Sequence, residues 1–195
     1  MKTLFVLLLF VLPAVAQQRQ ADALFHASGS TNAGLGPVFG AGGRFVLPAG
    51  RFSFVGEIFA LPRYPKAINR QGRAFSLEGS ARARLGRFGL VLGGIQRTTA
   101  YFHEDSRTAT HLFAGAGVAY RDRVFIYGFG TTPDRTRYRL WKIGAKVEMY
   151  QPIGESKWLV VVLASAEGLF YRLPETGKRV TGVKAGLSAG IGRRF

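Results

Sequence analysis

The chain has 195 residues, with 27 Lys and Arg against 11 Asp and Glu, a formal charge of +16 and no cysteine. The length fits one domain, and the lack of thiols excludes disulfide staples, thiolate metal sites and cysteine nucleophiles. An excess of positive charge on this scale points to nucleic acid or to an anionic surface.

The amino-terminus decides between those two. Lys2 precedes an apolar run from Leu4 to Leu12, followed by Pro13 and the triplet Ala14-Val15-Ala16. A charged start, a short apolar stretch and an A-x-A site make the layout of a secretory signal peptide. The run is too short to cross a bilayer as a helix, which disfavours a signal anchor. Residues 1–16 are therefore assigned to a cleaved leader and 17–195 to a single domain. Cleavage removes Lys2 and leaves a charge of +15. Export argues against a nucleic-acid partner and leaves the anionic surface.

Beyond the leader, glycine and aromatic residues are abundant and helix-period stretches are scarce, so the chain reads as all-β. Ala21 to Gly29 and Pro37 to Leu47 are predicted strands joined by the Gly-rich segment Ser30 to Gly36. Further strands are predicted at 51–61, 72–85, 88–101, 109–120, 124–132, 137–150, 157–171 and 179–195. Tight connections fall at Pro48-Ala49-Gly50, around Gly86-Arg87, at Arg121-Asp122-Arg123 and from Pro152 to Ser156. Longer polar segments run from Pro62 to Gln71, His103 to Thr108, Pro133 to Thr136 and Leu173 to Lys178. Short and long connections alternate, as expected of an antiparallel up-and-down barrel crossing a membrane. Ten strands is the expected number; eight would apply if the first hairpin lay outside the wall or inside the lumen.

Strands place alternate side chains on opposite faces. In 72–85, Phe75, Leu77, Ala81, Ala83 and Leu85 oppose Ser76, Glu78, Ser80, Arg82 and Arg84. An outward Arg at the bilayer midplane costs about 2–4 kcal/mol, so the polar face is assigned to the interior. Strand 137–150 repeats the pattern, with Trp141, Ile143, Ala145, Val147 and Met149 against Lys142, Gly144, Lys146 and Glu148. Strand 51–61 sets Phe52, Phe54 and Ile58 against Ser53 and Glu57. Trp158 and Phe170 share a face near opposite ends of 157–171, a spacing that suits an interfacial aromatic girdle. Strand 88–101 has apolar residues on both faces and no assigned facing.

The last strand divides most sharply. Val183, Ala185, Leu187, Ala189, Ile191 and Phe195 share one face, and Gly182, Lys184, Gly186, Ser188, Gly190, Gly192 and Arg194 the other. On these residues, from about Ala21 to Phe195, the chain resembles the bacterial outer-membrane β-barrel proteins. In that family the final strand carries a recognition pattern for the barrel-assembly machinery. Ser188, Gly190 and Phe195 match it, whereas Arg193 stands where a hydrophobic residue is usual. The resemblance implies a transmembrane barrel in the bacterial outer membrane, with lipid and the assembly machinery as partners.

The interior set by parity is Arg44, Glu57, Glu78, Arg82, Arg84, Lys142, Lys146, Glu148, Glu167 and Lys184, with Arg97 and His111 as further candidates. A small barrel has room only for its own side chains, and buried charges need partners. The expectation is an ion-pair plug in a protein with a structural or interaction role. A narrow anion-preferring pore is the alternative, since the basic residues outnumber the acids. Inward glycines at 40, 42, 115, 117, 128, 130, 144 and 186 would leave space for water or for close packing.

A third expectation is enzymatic. His26-Ala27-Ser28 resembles the His-x-Ser signature of lipid A deacylase barrels, but the following stretch, Pro37 to Gly43, lacks the acid that orients such a histidine. No catalytic residue, metal site or cofactor is assigned, and His103-Glu104-Asp105 reads as solvated loop charge. Arg63, Lys66, Arg70, Arg135, Arg137, Arg172, Lys178 and Arg179 lie in or beside the long connections, where they suit the phosphates of lipopolysaccharide.

Overall fold

The computed structural model describes residues 19–30, 38–67, 70–102, 105–134, 139–172 and 176–195. The leader at 1–16 and most of the segment joining the first two strands lie outside them. Ten strands form one closed antiparallel sheet. They are β1 (Gln20–Ser30), β2 (Val38–Ala49), β3 (Phe52–Ala67), β4 (Arg70–Leu85), β5 (Gly89–Phe102), β6 (Asp105–Tyr120), β7 (Val124–Thr131), β8 (Trp141–Pro152), β9 (Trp158–Arg172) and β10 (Arg179–Arg194). Each strand pairs with its chain neighbours, and β1 closes on β10 from Gln20 opposite Arg194 to Ser30 opposite Lys184. The first hairpin is part of the wall, so the eight-strand alternative is excluded.

The tight turns follow from residues that tolerate left-handed backbone. Gly50 and Gly86 have φ of 65° and 62°, which costs glycine nothing. Arg121 and Asp122 also have positive φ, 49° and 54°. They occupy the centre of a turn closed by the Arg123 amide donating to the Tyr120 carbonyl at 3.0 Å. Positive φ at both central positions matches the right-handed twist of a tight hairpin.

Two of the expected long connections are shorter than their polarity suggested. β3 continues through Arg63 and Pro65 to Ala67, with register shifts after Leu61 and Pro65, and β4 begins at Arg70. β6 begins at Asp105, directly opposite Phe102. Backbone pairing is indifferent to side-chain polarity, and a bilayer needs only about 9–11 residues per strand. These 16-residue strands therefore carry polar hairpins past the apolar belt. Conversely, β8 starts at Trp141 rather than 137, because Arg139 has a positive φ of 46° that breaks the ladder.

The exterior of the barrel is apolar. Twenty-four large hydrophobic or aromatic side chains are exposed among the described residues, Phe25 the most at 76 %. At about 1.5–3 kcal/mol for each such side chain kept from water, their hydration would cost more than the 5–15 kcal/mol that typically holds a domain together. The outer face is built for hydrocarbon. Trp158 and the stacked pair Trp141 and Phe170, centroids 4.3 Å apart, stand near opposite ends of this surface.

One strand faces opposite to its expectation. On β7 the inward residues are Phe125, Tyr127 and Phe129, while Gly128 is exposed and shares its parity with Ile126 and Gly130. The aromatics face in because their neighbours leave room. A β-carbon at Gly144 would stand 2.9 Å from Phe129 Cζ, and one at Gly115 would stand 3.0 Å from Phe129 Cβ. Glycine on the flanking β6 and β8 thus admits a row of rings on β7, and Gly128 and Gly130 do not face the lumen.

Candidate functional site

The lumen gathers the ionisable side chains. Its centre is Glu148 of β8, 0 % exposed. Arg82 donates to both carboxylate oxygens at 2.8 Å, Arg44 Nη2 donates at 2.7 Å, and the hydroxyls of Tyr127 and Tyr150 donate at 2.7 and 3.0 Å. The Arg82 fork is bidentate, the strongest geometry for such a pair. Both guanidiniums also lie against rings, Arg44 at 5.3 Å from the Tyr150 centroid and Arg82 at 5.5 Å from that of Tyr127.

One layer toward the long connections, Glu57 and Glu78 stand directly opposite each other on β3 and β4. Like charges in that position repel, and Lys146 offsets the repulsion. Its ammonium lies 3.1 Å from Glu57 and 3.5 Å from Glu78. Glu57 is also 3.4 Å from Arg44, which ties this layer to the Glu148 cluster. Further along, Lys142 donates to Gln96 at 2.6 Å and stands 3.9 Å from Glu167, while Gln96 donates to Glu78 at 3.3 Å. His111 is buried, its Nδ1 3.1 Å from the Thr132 carbonyl. Lys184, opposite Glu167 on β10, lines the same space.

Two members of the sequence-derived set stand apart. Arg84 lies at the short-turn rim, half-exposed, and pairs with Asp122 in the Arg121-Asp122-Arg123 turn. Arg97 is exposed on the same face of β5 as Ile95 and Tyr101 and does not join the interior. Its long stem allows the guanidinium to reach the interface from an outward position. The inward face of β5 is instead Leu90, Leu92, Gln96 and Thr98.

Sequence reasoning missed Asp22, Gln96, Tyr127 and Tyr150. Tyr150 shares the parity of Lys146 and Glu148, so extending that stripe by one position finds it. Asp22 is buried opposite Arg44 and accepts from Gln20 Nε2 at 2.8 Å. Tyr127 carried no signal, because both faces of β7 are free of charge.

The Glu148 cluster lies between two cavities. One, about 220 Å³, is on the side of the long connections and is lined by His26, Glu57, Glu78, Lys142, Lys146, Glu167, Lys184 and Ser188, among others. The second, about 450 Å³, is on the short-turn side, with Arg44, Arg51, Arg82, Arg84, Arg194 and Asp122 in its wall. Glu148 lines neither, yet it holds Tyr127 from the first wall and Arg44, Arg82 and Tyr150 from the second.

His26 faces inward and does not meet Ser28. Its Nδ1 lies 2.9 Å from Ser188 Oγ on β10, and its ring is tilted against Phe59 at 5.2 Å. Among the described residues no carboxylate is hydrogen-bonded to this imidazole, and no group of three metal-ligating side chains is present.

At the carboxy-terminal end, Ser188 is buried in the lumen, Gly190 packs beneath Ala23 and Leu24, and Phe195 is exposed. Arg193 stands 5.4 Å from the ring centroids of both Trp158 and Phe195. The arginine at the unusual position thus covers two outward aromatics.

No protein-family model and no curated protein matches the chain. Solved structures do. The chain is similar to Neisserial surface protein A, at 15 % identity over 91 % of this chain and 96 % of that one, with a TM-score of 0.37. It is similar to the translocator domain of the autotransporter NalP from Neisseria meningitidis, at 13 % identity over 100 % and 94 %, with a TM-score of 0.48. It is also similar to Ail, the attachment invasion locus protein of Yersinia pestis, at 13 % identity over 91 % and 97 %, with a TM-score of 0.35. The likeness is one of fold. What suits this barrel to a bilayer is its own exterior.

Proposed function

We propose that the protein is an outer-membrane barrel whose lumen is plugged by ion pairs, and that it acts through its surfaces rather than by conducting solute. The observation that carries this reading is Glu148, wholly buried and accepting five hydrogen bonds from four side chains on β2, β4, β7 and β8. Four strands are cross-linked at one level, between the two cavities of the lumen. Breaking such a cluster leaves uncompensated buried charge, so it resists thermal opening.

Planar-bilayer recording on refolded protein tests the plug. The intact barrel is expected to be silent, and Glu148→Ala is expected to give discrete steps. Anion-selective steps from the unaltered protein would replace the plug with the narrow pore, which the arginine-rich short-turn cavity favours.

The outward end carries the second part of the proposal, contact with lipopolysaccharide phosphates. Arg139, Arg172 and Arg179 surround the Trp141 and Phe170 stack in a surface groove near the β7–β8 and β9–β10 connections. Arginine forks above an aromatic belt suit phosphates at the membrane surface. The side chains of Arg63, Lys66, Arg70, Arg135 and Arg137 lie outside the described residues. Retention of the barrel on lipid A and on dephosphorylated lipid A should differ; equal retention removes this contact. Deacylation of lipid A that disappears in His26→Ala would instead establish the enzymatic reading.

A further inference from the structure

We infer that the short-turn cavity is a binding site for a phosphate group, either free or on a small phosphomonoester. Five arginines line it, Arg44, Arg51, Arg82, Arg84 and Arg194, against one acid, Asp122. They converge because inward parity on β2, β4 and β10 points at the same end of the lumen. Arg84 and Arg51 are further joined by the Arg84 amide donating to the Arg51 carbonyl at 2.9 Å.

The charges around the cavity do not cancel. Glu148 and Asp22 offset Arg44 and Arg82, while Glu57 is shared with Lys146. Among the described residues of the wall, Arg51, Arg84 and Arg194 then face Asp122, a surplus of positive charge suited to a phosphate. Hydrogen-bonding capacity points the same way. Arg44 and Arg82, 0 % and 4 % exposed, lie sealed behind the wall, and the accessible donors are the guanidiniums of Arg51, Arg84 and Arg194. Phosphate oxygens are suited to guanidinium donors, and about 450 Å³ holds a phosphate with a small organic substituent. Among the described residues, the wall of the opposite cavity holds three lysines and three glutamates.

The site lies on the short-turn side of the Glu148 cluster and stands whether or not that cluster conducts. The test is calorimetric titration of the refolded barrel, in a maltoside detergent free of phosphate, with inorganic phosphate and with sn-glycerol 3-phosphate. Saturable binding near one equivalent is expected, weakened by about tenfold or more in Arg51→Gln/Arg194→Gln. These residues line the mouth and leave Glu148 and its partners intact, and heat-modifiable gel migration reports whether the variant folds. Arg87→Gln/Arg193→Gln removes the same charge from arginines stacked on outward rings and should change affinity less than about twofold. A parallel arm compares nanodiscs of phosphatidylcholine with and without phosphatidic acid. Binding of the soluble phosphates assigns the site to a soluble ligand. Arginine-dependent capture of phosphatidic acid alone assigns it to a lipid headgroup. No saturable binding in either arm, or equal loss in both double variants, overturns the inference.

Discussion

The two ends of the lumen solve the burial of charge differently. Toward the long connections, lysines alternate with glutamates, and Lys146 bridges two carboxylates that would otherwise repel across β3 and β4. Toward the short turns, arginines gather, with Asp122 the one acid among the described residues of the cavity wall. Lysine brings a compact charge that a facing carboxylate can match, whereas an arginine fork holds donors to spare after one carboxylate is bound. The first end is self-contained. The second carries the surplus of arginine on which the phosphate inference rests, and Glu148 marks the boundary between them.

The largest expected effect comes from removing that boundary. Glu148→Leu leaves Arg82 buried without its carboxylate and Arg44 with Glu57 at 3.4 Å, and should lower stability by about 3–5 kcal/mol, measured by urea unfolding of the refolded barrel. Adding Arg82→Met should recover much of the loss, because an apolar replacement removes the stranded charge. No recovery would show that the cost of Glu148→Leu does not come from the unpaired Arg82.

Next comes the frame on which both ends depend. Leu187 is exposed at the middle of β10, and Leu187→Arg should cost about 2–4 kcal/mol in lipid. A neutral result would place the outer face in contact with water.

The ends themselves are then distinguished by a matched pair. Lys146→Met strands Glu57 and Glu78 opposite each other and should cost about 1–3 kcal/mol. Arg84→Gln removes one half-exposed partner of an exposed Asp122 from an end with cations in surplus, so its loss should fall within about 0–1 kcal/mol. The same unfolding assay reads both, and equal losses would erase the contrast.

The smallest effect concerns the Tyr120–Arg123 turn. Arg121→Gly relieves a positive φ at a non-glycine residue and should stabilise by about 0.5–1 kcal/mol, visible as a small rise in the urea midpoint.

How far the sequence discloses this arrangement depends on whether a strand carries charge. β4 and β8 place glutamates, lysines and arginines at alternate positions, so their inward faces can be read directly, and the alternation on β10 extends to the carboxy-terminus. β7 alternates aromatic residues with Ile126, Gly128 and Gly130, and nothing polar distinguishes lumen from lipid. Its facing is decided by space that Gly115 and Gly144 leave on other strands, a property no single segment contains. β5 shows the opposite problem. Its one arginine, Arg97, is outward, while its inward face is marked only by Gln96 and Thr98 among leucines. The convergence of Tyr127 and Tyr150 on Glu148 likewise depends on register between strands, which turn composition leaves open.

The seam between the first and last strands has one more consequence. The Phe195 amide donates to the Arg19 carbonyl at 2.8 Å, so the two ends of the sheet meet at the same rim. Every other strand pairing joins chain neighbours through a hairpin. Joining 195 to 19 through a short linker and reopening the polypeptide within 31–37 would convert this seam into a hairpin and leave the open seam between β1 and β2. Such a circular permutant moves the long-range closure of the cylinder from β1 and β10 to β1 and β2, and its folding rate relative to the parent would measure whether the barrier depends on which pair of strands meets last.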